Sequence, residues 1–312
     1  MRLYKKFALL SIFVTYFLIF LGGLVRVSGA GLGCPDWPKC FGRWIPPISA
    51  SQLPPEFAPE TFNFTLAWIE YINRLVGVLV GLVILVTAIL ALLYYRKKLH
   101  VLLSSLLAAL IVAYQGWQGS RVVASELEPI VVSFHMIIAF VIISLLIYAA
   151  LQAHYSDADT DKIGLFPRNT SLIVLVLWIG TIIQVLLGTT VRGAIEHANR
   201  DYPLLFGAEL LAKVGAIDEL HMATGILLVI ALVVLSWYVL KKSHNISTLM
   251  RQTTWGIIVL SFAQLVIGHF LVFIGLPELV QLLHLWLASL LIGGLLLLFV
   301  SIQKGGRLAN VD

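Results

Sequence analysis

Apolar positions fall into eight long runs, with approximate edges at 7–28, 67–95, 101–122, 131–153, 170–193, 217–240, 251–275 and 278–303. A helix rises 1.5 Å per residue, so crossing the hydrocarbon core takes about 20 apolar residues. Each run meets that requirement, and eight transmembrane helices are expected. The first run follows Arg2, Lys5 and Lys6 and precedes Ser28-Gly29-Ala30, which is also the layout of a secretory signal. A signal core spans roughly 7–15 residues; this run is longer and has an internal counterpart, so a retained helix is expected. No Arg- and Ser-rich amphipathic presequence supports import into an organelle.

Basic residues between the runs set the expected orientation. The N-terminus, Arg96-Lys97-Lys98, the linker at 154–168 with Lys162 and Arg168, Lys241-Lys242 with Arg251, and Lys304 with Arg307 form one set. The alternating loops are longer or poorer in Lys and Arg. By the positive-inside rule both termini are cytoplasmic. Asp157, Asp159 and Asp161 in the linker count little in that rule.

Polar positions inside the runs recur. Laying the second half over the first puts Glu70 on Asp218, Asn73 on His221 and Gly77 on Gly225. Gly23-Leu24-Val25-Arg26 resembles Thr189-Thr190-Val191-Arg192. Gln115 stands four residues before Gly119 and twenty before His135, and Gln264 stands four before Gly268 and twenty before His284. From Asn73 to His135 is 62 positions, and from His221 to His284 is 63. Leu and Gly coincide often by chance in apolar helices; rare polar residues at matched spacing do not. Four spans per half is an even number, so the halves share one orientation, as in a parallel repeat about the membrane normal. The expected fold is all-α and integral to the membrane, with two four-helix bundles at 1–153 and 169–312.

Composition agrees: 60% of the 312 residues are hydrophobic and 12% charged, outside the range of soluble globular chains. The net charge of +5 sits at the ends of apolar runs, where membrane topology accounts for it, so no nucleic-acid partner is inferred.

The candidate chemistry lies in the repeated polar positions. His135, His221, His284 and Asn73 all fall within the first few residues of their spans, at similar expected depth near the outer surface. Ionisable groups at such depth are costly and mark functional sites by default. Facing imidazoles in a helical bundle suit axial ligation of a haem iron, and Arg26, Arg74, Arg121 and Arg192 stand near the level where propionates would lie. A single membrane histidine is more often an interhelical hydrogen-bonding group; the matched pair His221 and His284 favours haem. A structural zinc needs four N, S or O ligands in a compact site, and no such cluster is visible. His100, His154 and His244 lie at the cytoplasmic ends of spans. His197 falls in an outer loop and His269 near an outer helix end, neither with a repeat partner.

Cys34 and Cys40 occur in Gly33-Cys34-Pro35-Asp36-Trp37-Pro38-Lys39-Cys40-Phe41-Gly42. They face the oxidising side, where disulfides persist. A bridge there is either a staple for a long loop or a redox or catalytic element, and the second half has no counterpart. Glu70, one turn before Asn73, can bind a substrate, relay a proton or ligate iron; it can equally form a salt bridge with Arg74 or Arg26. Asp218 at the equivalent position suggests an architectural role in both halves.

Taken together, these residues resemble the haem A synthase family, also called the haem O monooxygenase family of cytochrome oxidase assembly. The resemblance covers essentially the whole chain. It rests on the eight spans, the Gly-Cys-Pro-x-Trp-Pro-x-Cys-x-Gly loop, Gly-Gly-Leu-Val-Arg in the first span, and the motif from Glu70 to Arg74. It implies an oxidoreductase of the bacterial cytoplasmic membrane that oxidises the C8 methyl of haem O to the formyl group of haem A. Two hydroxylations would give a geminal diol that loses water. The C-terminal half would hold haem b between His221 and His284. The N-terminal half would receive haem O, with His135 as axial ligand, Arg74, Arg26 and Asn73 around it, and Glu70 at the reaction site. Cys34 and Cys40 would lie over that site as a disulfide, contributing to substrate placement or electron transfer. Implied partners are the haem O synthase (a farnesyltransferase), terminal oxidase subunits and a quinol or other electron donor.

One position departs from the family pattern, which commonly has histidine where this chain has Asn73. An amide is a poor iron ligand. Either His135 holds the substrate iron alone, leaving a face open, or this half has lost activity; the intact set Glu70, Arg74, His135, Cys34 and Cys40 favours the first. Two rival readings remain, a b-type cytochrome that only passes electrons and a transporter built on a parallel repeat.

Overall fold

The computed structural model describes residues 1–157, 166–242 and 246–308. Asp159, Asp161, Lys162 and His244 lie outside the described residues, as do the side chains of Asp157, Arg168 and Arg307. The described residues form nine α-helices: α1 Arg2–Val27, α2 Phe64–Tyr94, α3 Leu99–Ala124, α4 Pro129–Asp157, α5 Arg168–Asp201, α6 Gly207–Val214, α7 Ala216–Lys242, α8 Thr248–Ile274 and α9 Glu278–Leu308. No β-strand occurs among them beyond an isolated bridge between Cys40 and Arg43. Eight of the helices are long and apolar enough to cross a membrane, so the expected all-α, multi-pass membrane class holds. Their flanks agree: Phe13, Leu93 and Leu110 are 66–71% exposed, an arrangement that suits hydrocarbon contact and not water.

Two details differ from the apolar pattern. The segment after α5 holds an eight-residue helix, α6, with Glu209 in its first turn and Lys213 in its last. It is too short to register as an apolar run, yet it buries Leu210 and Leu211. Helix α5 also continues to Asp201, so Glu196 and His197 lie on its last turns and not in a loop. Arg192 Nε and Glu196 Oε1, one turn apart, pair at 3.1 Å; polar side chains there interrupt the hydrophobic run without interrupting the helix.

Cα proximity divides the chain into a compact unit from Met1 to Leu146 and a second from Ile147 onward. The division falls within α4, seven residues before the boundary at 153 inferred from the hydrophobic pattern. In the first unit Val80 and Ile84 of α2, Ala108 of α3 and Ile138, Ile142 and Leu146 of α4 form a core, with Ile12, Val14 and Leu18 of α1 packed against it. Buried hydroxyls tie the helices where no water competes: Tyr4 Oη with Ser105 Oγ at 2.9 Å and Ser11 Oγ with Thr87 Oγ1 at 2.8 Å. The second unit packs Val174 of α5, Leu232, Leu235 and Val239 of α7, Met250 and Ile257 of α8, and Leu291, Leu295 and Leu298 of α9. Trp178 of α5 donates its Nε1–H to the Ile292 carbonyl of α9 at 3.1 Å. The last turns of α4 join this unit, with Tyr155 Oη 2.8 Å from Ser301 Oγ.

Candidate functional site

Helix α2 begins at an Asn63 cap whose side chain accepts the Leu66 N–H at 3.1 Å, which fixes the register of everything that follows. Two turns on, Glu70 and Arg74 project from one face at i, i+4 spacing. Against this face lies the cysteine loop. Gly33 approaches so closely that a Cβ there would sit 2.4 Å from the Leu66 carbonyl oxygen and 2.8 Å from the Ala67 nitrogen; only glycine fits. That approach lets Cys34 donate its backbone N–H to Glu70 Oε2 at 2.7 Å.

Arg74 completes the tie. Its Nε and Nη2 bond Glu70 Oε1. Its Nη1 donates to the carbonyls of Asp36 at 2.7 Å and Lys39 at 2.8 Å, and Nη2 donates to Cys34 at 3.3 Å. All five guanidinium donors therefore have acceptors. The Cys34–Cys40 disulfide closes the same loop. Both cysteines are at most 1% exposed, beneath Phe41, Ala67, Phe57, Phe62 and Tyr71. Asp36 Oδ2 accepts the Gly42 N–H at 2.9 Å. Of the readings open for Glu70, the salt bridge with Arg74 is the one the geometry displays. Arg26, in the last turn of α1, is partly buried.

His135 stands on α4 with its polar contacts on α3. Its Nδ1 lies 2.5 Å from Gln118 Oε1, and Gln115 Nε2 donates to its carbonyl at 2.9 Å. Asn73, one turn from Glu70 on α2, has a buried Oδ1 with no hydrogen-bond partner among the described residues.

In the second unit His221 of α7 and His284 of α9 come together, with ring centres 6.5 Å apart and ring planes at 72°. Gly188 of α5 makes room for the first ring: a Cβ there would lie 3.0 Å from His221 Cε1. Gln184 Nε2 donates to the His221 carbonyl at 2.7 Å and lies 3.0 Å from its Nδ1. Gln264 donates to the His284 carbonyl at 2.9 Å, while His284 Nδ1 is buried with no partner among the described residues. Asp218 is buried in the first turn of α7, where the helix dipole favours a carboxylate.

No group of three His, Cys, Asp or Glu side chains able to hold a metal occurs among the described residues. The donor set of the second unit fits a different kind of centre. An iron between two imidazole nitrogens at about 2.0 Å each, with half of each ring added, puts ring centres roughly 6 Å apart. A porphyrin brings four nitrogens of its own and asks the protein for two. The facing imidazoles and the glycine-lined ring seat agree with that demand.

Residues 5–296 match the COX15-CtaA family, described as cytochrome oxidase assembly protein. The chain belongs to that family. Among relatives named heme A synthase, the one from Shewanella oneidensis is 33% identical over 187 residues, covering 57% of this chain and 54% of the relative. That from Ehrlichia canis is 29% identical over 197 residues, covering 56% and 55%. That from Pelagibacter ubique is 25% identical over 274 residues, covering 78% and 81%. The chain thus spans about half the length of the first two relatives and most of the third.

Within this COX15-CtaA chain the cysteine loop, Glu70 and Arg74 form one cluster, and His221 and His284 another. His100 and His154 are exposed near helix ends, and His197 and His269 are exposed on α5 and α8. Arg121 is exposed, while Arg192 pairs with Glu196 and Gln281. Sequence reasoning passed over Gln118, which is 3% exposed and in direct contact with a candidate ligand. The signal was present: Gln118 stands three residues after Gln115, on the same helical face.

Proposed function

We propose that this protein is a haem A synthase of the bacterial cytoplasmic membrane, oxidising the C8 methyl of haem O to the formyl group of haem A through two hydroxylations and loss of water. The observation that carries the reading is the His221–His284 pair, spaced for an iron and set in a bundle with no protein-only metal cluster among the described residues. His221 and His284 hold haem b in the C-terminal half, 169–312; the N-terminal half, 1–153, receives haem O with His135 as its ligand. Haem b, when bound, supplies one-electron redox chemistry to the substrate site. Both termini face the cytoplasm, and the two halves form a parallel repeat.

The chain's own residues do the rest. His135 would hold the substrate haem, and Asn73, an amide in place of an imidazole, offers it no second imidazole. Glu70 and Arg74 hold the disulfide loop over the substrate half, so Cys34 and Cys40 place the substrate by fixing the loop, with their sulfurs buried away from exchange. Arg26 meets a propionate, while Arg74, whose donors are taken by Glu70 and the loop carbonyls, acts through the loop. In each hydroxylation dioxygen is the oxidant, one of its oxygen atoms entering the methyl carbon and the other leaving as water with two electrons from a quinol or other donor and two protons; haem O synthase and terminal oxidase subunits stand upstream and downstream. A cytochrome that only passes electrons has no use for the latched loop.

Co-expression with a haem O-producing enzyme, followed by chromatography of extracted haems, tests the reading. Haem A or a hydroxylated intermediate is expected; unchanged haem O in a folded preparation overturns it. His221→Ala and His284→Ala should each lose the resident low-spin absorbance, and retention of wild-type haem content would remove these residues from the axial positions.

A further inference from the structure

The three candidate iron ligands differ in what faces Nδ1, the nitrogen that must carry the proton when Nε2 binds a metal. At His135 the neighbour is Gln118 Oε1, at 2.5 Å. The amide orientation is fixed independently, because Gln118 Nε2 donates to the Val131 carbonyl at 3.2 Å; turning the amide over would set two oxygens against each other. An amide oxygen only accepts, so His135 Nδ1 is the donor and Nε2 carries a lone pair. Gln115 anchors the same residue through its carbonyl. Gly119 leaves the ring's Cε1 edge 3.7 Å from where a Cβ would be.

The second unit repeats every part of this seat except the acceptor. Gln264 binds the His284 carbonyl as Gln115 binds that of His135, and Gly268 lines the ring as Gly119 does, 3.5 Å from His284 Cε1. Three residues after Gln264, at the position of Gln118, stands Ile267. His284 Nδ1 is accordingly without a partner among the described residues. His221 Nδ1 meets the amide nitrogen of Gln184, a donor. Of the three imidazoles, His135 is the one whose Nδ1 faces a protein acceptor among the described residues.

We infer that Gln118 is a positioning residue for the substrate half, holding His135 in the tautomer and ring orientation that present Nε2 to the iron of an incoming haem. The inference rests on the reading of His135 as the substrate ligand. It also accounts for the asymmetry between the units. A half that binds and releases its haem in every cycle gains from an imidazole already in its ligating form. A resident haem binds once, and its ligands can settle around it. Partners on the non-ligating nitrogen also raise the basicity of the ligand, and their loss weakens metal binding about 10–100-fold.

The test titrates ferric protoporphyrin IX into the purified full-length chain and follows absorbance, comparing wild type with Gln118→Leu, Gln118→Glu and His135→Ala. Resident haem contributes equally to all four and cancels in the difference. Gln118→Leu should weaken uptake about 10–100-fold, and Gln118→Glu, which keeps an acceptor toward Nδ1 but sets its second oxygen against the Val131 carbonyl, should recover part of it. Resonance Raman of the reduced, haem-loaded protein gives a second readout. The iron–imidazole stretch of a five-coordinate site should move to higher frequency in Gln118→Glu, where a stronger acceptor draws on Nδ1–H. If Gln118→Leu does not fold, this stretch decides alone, and an unshifted value overturns the inference. Wild-type affinity in Gln118→Leu, with uptake abolished in His135→Ala, also overturns it and leaves the ligand assignment standing. Wild-type uptake in His135→Ala overturns the ligand assignment and the inference together.

Discussion

Replacing Arg74 by Met and Glu70 by Gln should loosen the cysteine loop to different extents, and the order follows from what each change leaves behind. In Glu70→Gln the guanidinium keeps the carbonyls of Cys34, Asp36 and Lys39 as acceptors, so no cation is stranded. The loss is the charge-assisted part of the bonds from Cys34 N–H and Arg74, each about 1.5–3 kcal/mol; with one amide oxygen still able to accept, the net is about 3 kcal/mol. In Arg74→Met the carboxylate is 3% exposed and keeps only backbone N–H partners, from Cys34 and Gly33. Stranding one member of a buried pair costs about 3–5 kcal/mol, and three loop carbonyls lose their donor as well. Local opening of residues 33–43 sets the rate of amide hydrogen exchange there, and about 1.4 kcal/mol is a factor of ten. Exchange in that segment should accelerate roughly a hundredfold in Glu70→Gln and more in Arg74→Met, with the α4 core peptide unchanged. Equal exchange in all three proteins, or a larger effect from Glu70→Gln, would refute the account of the latch.

Three further outcomes follow from the geometry. Gly188→Ala should lower haem content, measured as Soret absorbance per protein, because its Cβ would lie 3.0 Å from His221 Cε1; alanine is the better helix former by about 1 kcal/mol, so unaltered helix content would assign the loss to the ring seat. Asn73→His should convert a five-coordinate haem in the substrate half toward a six-coordinate spectrum, and no spectral change would mean that position 73 faces away from the iron. The disulfide, closing a loop of six-residue separation, should contribute about 2 kcal/mol on chain entropy. Being buried, it should resist thiol reductants in the native protein while reacting in the unfolded one; rapid native reduction would contradict its enclosure.

The eight spans were legible because membrane helices advertise themselves by uninterrupted length, and the histidine pairing because a repeat marks which polar residues belong together. Glu70 and Arg74 could be paired from their spacing alone. Their acceptors could not: three are backbone carbonyls of a loop whose path depends on Gly33 lying against α2, and a carbonyl has no sequence signature. Helix α6 and the last turns of α5 were missed for a related reason. Hydrophobic runs report burial in lipid, and these turns are held instead by the Arg192–Glu196 ion pair, short-range packing and two buried leucines. Gln118 escaped notice since a glutamine in a span admits many roles until the neighbouring ring is placed.

The two units show how one helical frame supports different tasks. On α2, positions 70, 73 and 74 carry Glu, Asn and Arg; at the matching positions of α7 stand Asp218, His221 and Met222. Arginine at the third position can gather loop carbonyls, and methionine cannot. The unit with Arg74 accordingly has an ordered loop drawn onto its helix by backbone bonds, and the unit with Met222 has the short helix α6 packed beside α5, α7 and α8 instead. The middle position follows the same division. An imidazole at 221 gives the second unit two facing imidazoles, with ring centres 6.5 Å apart. The amide at 73 gives the first unit one imidazole, an acceptor to orient it and a polar oxygen with no protein partner among the described residues. A facing pair suits a group that stays. A single oriented imidazole suits one that enters and leaves. The substitution of asparagine for histidine is thus consistent with a working substrate half, and the Asn73→His spectrum is the measurement on which that consistency stands.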